Sequence, residues 1–205
     1  MDIDKLSRTY DRIAHDYNID HETDDWDDDF IELFSERLPK NAIVLDLGCG
    51  PGVETRKLFD KGFTMYGFDL SSELLAIART KTPQATFAQG NMIDPFPYND
   101  ANFEGVFAKA SLLHVPKESI GAVLREVYRV LKPKGIFHVA VKKGTDEKHI
   151  TENGYGYEYE RFFSFWEDGE LKKLFTNSRF VVINESVWER PERNTVWLKY
   201  LLEKQ

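Results

Sequence analysis

Apolar residues recur along this chain in two alternating rhythms between residues 43 and 141. "IVLDL" (43–47) is an apolar run broken only by Asp46, the pattern of a strand buried on both faces. "VETRKLFDKG" (53–62) follows as a short helix ending near Gly62, and "FTMYGFDL" (63–70) as a second strand. In "SSELLAIARTK" (71–81), Ser71 or Ser72 can cap a helix that buries Leu74, Leu75 and Ala78. "ATFAQG" (85–90) and "FEGVFAKA" (103–110) add two strands. Ile120, Val123, Leu124, Val127 and Leu131 mark a helix over 118–131, and "KPKG" (132–135) turns the chain into a fifth strand, 136–141. Strands alternating with helices at this spacing imply right-handed crossovers. The fold class is α/β, a doubly wound parallel sheet.

The flanks differ in texture. Residues 1–41 are acidic, and Asp24–Asp29 precede Phe30, Leu33, Phe34 and Leu38 at helical spacing. These acids read as the opening of an amphipathic helix rather than a metal loop, which needs alternating oxygens and a turn glycine. The expectation is an N-terminal helical cap and no metal site. After Val141 the chain reads as irregular and aromatic ("GYGYEYERFFSFW", 154–166). A helix (168–175) and strand-like runs (180–188, 195–203) close it.

Charge and cysteine usage narrow the function classes. The 205 residues suit one domain, and 27 Lys plus Arg against 35 Asp plus Glu leave a net charge of −8. That balance disfavours nucleic acid or an anionic membrane as a partner. The single cysteine, Cys49, excludes an intramolecular disulfide and fits a reducing compartment. The opening residues show no charged-then-apolar leader, and no apolar run approaches the roughly 18 residues of a membrane span. A cytoplasmic protein is expected.

The candidate chemistry lies at the first strand–helix junction. Gly48-Cys49-Gly50-Pro51-Gly52 sits where ligands bind in such sheets, outside the carboxyl end of a strand. Asp69 ends the next strand about 20 residues on, where a carboxylate accepts bonds from both ribose hydroxyls. A dinucleotide site wants its third glycine where this chain has Val53, and Glu54 would repel a pyrophosphate on the helix N-terminus. A phosphate-free cofactor with a cationic centre, S-adenosylmethionine, suits the turn better.

"VLDLGCGPG", "YGFDLSSELLAIA", "GNMIDPFP", "FEGVFAKASLLHV" and "LREVYRVLKPKGIFHVAV" resemble, in order, the motifs of class I S-adenosylmethionine-dependent methyltransferases. The resemblance covers about residues 40–142. It implies a seven-stranded, mostly parallel sheet flanked by helices, its last strand (195–203) antiparallel and inserted between 136–141 and 180–188. It also implies roles. Asp46, the turn Gly48–Cys49–Gly50 and Gly52 would border the methionine portion, Asp69 would hold the ribose, and Leu70 would flank the adenine. Asn91 and the Met92 N–H would meet the adenine edge, and Ala110 would line the pocket near the sulfonium. Many relatives have Asp where this chain has Asn91, so that contact loses its charge. "YDRIAHDYN" (10–18) resembles the opening helix of the small-molecule branch, in which an aromatic such as Tyr17 closes over the cofactor. Tyr10, Ile13 and Tyr17 share one helical face, which either does this or simply packs.

One domain over 1–205 is therefore expected: a cap (1–41), a cofactor-binding core (42–142), and an acceptor-side loop with C-terminal strands (143–205). His114 follows the fourth strand near the acceptor's place, either as a catalytic base or as a loop-orienting residue. His138, inside a strand, reads as structural, and Cys49 as a small packing side chain. Arg161 reads as paired with a local carboxylate, Glu158 or Glu160, or with an anionic acceptor. Segments 10–30 and 144–166 would form a lid, with Tyr17, His114 and the Tyr155–Trp166 cluster facing the acceptor. The expected activity is methyl transfer to a small-molecule acceptor. The alternatives are a cofactor-binding sensor or interaction module without catalysis, and an RNA or protein methyltransferase.

Overall fold

The computed structural model describes residues 2–205. Its elements are α1 (Ile3–His21), α2 (Asp28–Glu36), β1 (Ile43–Leu47), α3 (Val53–Asp60), β2 (Thr64–Asp69), α4 (Ser72–Lys81), β3 (Thr86–Gln89) and β4 (Phe103–Lys109). Then follow α5 (Ile120–Val130), β5 (Leu131–Lys142), β6 (Glu147–Glu152), β7 (Tyr159–Ser164), α6 (Asp168–Asn177), β8 (Phe180–Arg190) and β9 (Thr195–Lys204). Seven strands form one sheet in the order β3-β2-β1-β4-β5-β9-β8. The first five run parallel, and β9 lies antiparallel to both β5 and β8. The doubly wound class and the inserted last strand are both present.

The continuous apolar strands are explained by cover on both faces. On one face, Phe30, Ile31 and Phe34 of α2 and Leu58 of α3 pack against Val44, Met65 and Phe107. On the other, Ile120, Val123, Leu124 and Val127 of α5 and Leu171 and Phe175 of α6 pack against Leu45, Val106 and Val139. Gly105 of β4 makes room for α2, since a Cβ there would come within 2.5 Å of the Phe34 ring.

Two stretches depart from the sequence expectation. Residues after Val141 are not irregular: β6 and β7 pair antiparallel from Glu147↔Ser164 to Glu152↔Tyr159 as a separate two-stranded sheet. Ile150 is the only strongly apolar residue of β6, so no period-two signal announces the hairpin. The "KPKG" turn falls inside β5, which begins at Leu131 rather than Ile136. Pairing jumps from Phe103↔Leu131 to Gly105↔Ile136, and Lys134 takes a left-handed φ of 65°, so the strand bulges and resumes.

The acidic run before α2 does more than open a helix. Asp27 makes no capping bond, and its carboxylate turns into the sheet, 2.7 Å from His138 Nε2 and 3.3 Å from Lys199 Nζ. Lys199 also reaches Asp29 at 2.5 Å, and His138 Nδ1 lies 3.0 Å from the Tyr200 carbonyl. Both His138 nitrogens thus face oxygen atoms, one of a carboxylate and one of a backbone carbonyl. Burial works to raise the Asp27 pKa, but His138 and Lys199 hold it below the ordinary value. Removing one member of a buried ion group leaves the others uncompensated. Asp27→Ala should therefore cost about 3–5 kcal/mol in urea unfolding. Asp60→Ala, at the exposed end of an Arg56 pair, should cost less than about 0.5 kcal/mol.

Candidate functional site

Strand order turns back between β1 and β4, and a cavity of about 410 Å³ opens at the carboxyl ends of the central strands. Its floor is the glycine turn, where Gly48, Gly50 and Gly52 have φ of 77°, 51° and 79°. Gly48 cannot be replaced without movement, because a Cβ would lie 2.2 Å from that of Ser111. The turn is pinned from β2. Gly48 N–H donates to the Phe68 carbonyl at 2.7 Å, and Gly50 N–H donates to Asp69 Oδ2 at 2.8 Å. Ser71 N–H donates to Asp69 Oδ1, also at 2.8 Å. Burial raises the Asp69 pKa, and the Ser71 and Gly50 N–H bonds offset this only in part. One bond per oxygen leaves further lone-pair sites on a carboxylate at the cavity wall.

The remaining expected residues divide into two groups. Tyr17, Cys49, Leu70, Asn91, Met92 and Ala110 line the cavity beside Gly48, Gly50 and Asp69. Asn91 Oδ1 already accepts the Ile93 N–H at 3.1 Å, while among the described residues the Met92 N–H has no partner. Ala110 follows β4 at a left-handed φ of 54°, a strained conformation for a residue with a Cβ. Asp46 and Gly52 do not line the cavity. Asp46 is buried behind the turn, where it accepts the Thr55 hydroxyl at 2.6 Å; burial and nearby Glu54 raise its pKa to about 8. Gly52 packs α3 onto α4, where a Cβ would come within 2.9 Å of that of Ala78.

His114 has both ring nitrogens engaged. The Phe162 carbonyl, 2.6 Å from Nδ1, can only accept, so Nδ1 carries the hydrogen. Nε2 then accepts the Tyr10 hydroxyl, also at 2.6 Å. Burial and the Arg161 guanidinium lower the His114 pKa to about 3. The ring joins α1 to β7 and has no free nitrogen aimed at an acceptor. Arg161 pairs neither with Glu158 nor with Glu160. It grips Glu152 across the hairpin at 2.6 and 2.7 Å, and donates to the Tyr10 hydroxyl at 3.3 Å. Glu160 instead meets Lys5 and His149.

Both segments read as a lid reach the cavity. Tyr10, Tyr17 and Trp26 come from the first, and Tyr155, Tyr159 and Phe163 from the second. The aromatic cluster is split, however. Tyr157 hydrogen-bonds Asp16 at 2.7 Å, Phe162 packs on His149, and Trp166 is buried in the core. Sequence reading missed Ser111, Lys109 and Lys142. Ser111 Oγ is buried on the wall with no partner among the described residues. Lys109 pairs with Glu54 at 2.5 Å, both largely buried. Their position at or just beyond the carboxyl ends of β4 and β5 was the available signal. Among the described residues, no three His, Cys, Asp or Glu side chains cluster as metal ligands, and no helix is long and apolar enough to cross a membrane.

Residues 44–135 match the model of a family described as a methyltransferase domain. An uncharacterized methyltransferase of Synechocystis is 37% identical over 94 residues, covering 46% of this chain and 44% of the relative. The chain spans less than half the length of the curated relatives it matches. A 1,6-didemethyltoxoflavin-N1-methyltransferase of Burkholderia thailandensis, solved with bound 1,6-didemethyltoxoflavin and S-adenosylhomocysteine, superposes with a TM-score of 0.78. It is 19% identical, over 98% of this chain and 88% of that one. The [4+2]-cyclase SpnF is 18% identical over 98% of this chain and 96% of its own, with a TM-score of 0.75. At these identities the likeness is one of fold.

The geometry makes a direct prediction for His114. A pKa near 3 keeps the imidazole neutral above that pH, with the hydrogen on Nδ1. Nitrogen NMR of labelled protein should show this one neutral tautomer from pH 8 down to pH 5; a midpoint near the ordinary 6.5 contradicts it.

Proposed function

We propose a methyl-transfer function from this premise: the chain belongs to the class I S-adenosylmethionine-dependent methyltransferase family. The reaction is transfer of the methyl group of S-adenosylmethionine to a small-molecule acceptor. The observation that carries the reading is Asp69, locked by Gly50 and Ser71 N–H groups with lone pairs left over at the cavity wall. Two vicinal ribose hydroxyls are the donors such a carboxylate suits. The partnerless Met92 N–H fits an adenine ring nitrogen, and the open space above Gly50 admits a ligand against the backbone.

When bound, this cofactor supplies an electrophilic methyl group on a sulfonium sulfur. The chain's own contribution is positioning. Asp69 and the glycine turn fix one end of the cavity, while Tyr17, Ala110 and Phe163 bound the space beyond it. Enclosing an acceptor there supplies proximity and excludes water. A cavity of about 410 Å³ in a chain of net charge −8 supports a small acceptor over RNA or a folded protein.

A second reading, a cofactor-binding module without catalysis, is favoured by one observation: His114 offers no free base. Turnover with a panel of hydroxyl, amine and thiol acceptors separates the two.

Calorimetry with S-adenosylhomocysteine tests the cofactor site. Micromolar binding is expected, and Asp69→Asn should weaken it at least about tenfold through lost charge-assisted bonds. No binding at millimolar ligand would overturn the proposal.

A further inference from the structure

Lys142 ends β5 and lines the cavity at the strand's carboxyl end. Its ammonium lies 4.2 Å from the Phe163 ring centre and 5.8 Å from that of Trp197. Among the described residues no carboxylate or other acceptor lies within ion-pair or hydrogen-bond distance of it. The neighbouring acids are already engaged: Glu152 is gripped by Arg161, Asp20 lies 3.8 Å from Arg193, and Glu54 holds Lys109. Burial, with Arg161 close by, lowers the Lys142 pKa to about 8, so at pH 7 it is still mostly an ammonium. A half-buried ammonium resting on ring faces, with no counter-ion, leaves its N–H donors for something else. In a chain of net charge −8 this is no part of a general basic surface.

We propose that the methyl acceptor is a carboxylate-bearing small molecule whose anionic group docks on Lys142, its body lying against Phe163, Trp197 and Trp26. This deepens the methyl-transfer reading and rests on it. One uncompensated cation matches a single negative charge, and the rings match a flat or apolar body. Lys142 acts here as a binding residue; the proposal gives it no proton to take.

The test uses the full chain saturated with S-adenosylhomocysteine. Benzoate, 4-hydroxybenzoate and cinnamate are titrated against their neutral amides by calorimetry. Carboxylates should bind at least about tenfold tighter than the matched amides, the range of a charge-assisted bond. Lys142→Met should abolish that preference, and Lys142→Arg should restore most of it; circular dichroism and S-adenosylhomocysteine affinity check that both variants fold. The preference should also fall as pH rises through about 8, where the ammonium loses its proton. Of the groups around it, Arg161, Arg190 and Arg193 carry guanidiniums and Glu152 is held by Arg161. The raised phenols of Tyr10 and Tyr17 stay neutral. Equal affinity for acid and amide, or no binding of any acid in the panel, overturns the inference and leaves methyl transfer standing. Failure of S-adenosylhomocysteine to bind removes the methyl-transfer reading, and this inference with it.

Discussion

The carboxylate of Asp69 is the point on which this architecture turns. It ties the end of β2 to the glycine turn after β1 through Gly50 and to the start of α4 through Ser71. The Ser71 hydroxyl accepts the Leu74 N–H and donates to Asp11 of α1, so the N-terminal helix is tied to the same corner. Burying a carboxylate is costly unless hydrogen bonds satisfy it, and here one N–H from each of two chain segments does so. A rigid cavity floor is the by-product of that satisfaction.

The walls depend on a different principle. α1 and the β6–β7 hairpin stand outside the seven-stranded sheet and meet through Tyr10, His114, Arg161 and Glu152. Each polar atom in that chain of contacts is partnered by another, which is what a low-dielectric setting demands. The second cap helix, α2, is held by the buried Asp27, His138 and Lys199. Geometry on one side of the site thus comes from backbone N–H groups, and on the other from side-chain pairs far apart in sequence.

That difference explains what was legible in the sequence. The alternation of apolar runs between residues 43 and 141 reports burial, and burial on both faces is what the central strands have. The glycine turn and Asp69 were legible because their local backbone requirements leave a spacing signature. Asp46 and Gly52 carry the same signature yet do not line the cavity, since a motif does not say which of its residues face the open space. The hairpin was missed because β6 lacks alternation. The Glu152 partner of Arg161 was missed because nine positions and a turn separate them. Asp27 looked like its acidic neighbours, and only tertiary contact with His138 distinguishes it.

The hairpin stands apart from the main sheet, and this decouples the roof of the cavity from its floor. β6 and β7 bond only to each other as strands, so residues gained or lost at their tip leave every register of the seven-stranded sheet untouched. Insertions tolerated at such a tip alter the roof of the cavity without disturbing its floor. One cavity is therefore shaped by two separate pieces of the fold, a roof whose length can change and a floor whose geometry the Asp69 corner fixes.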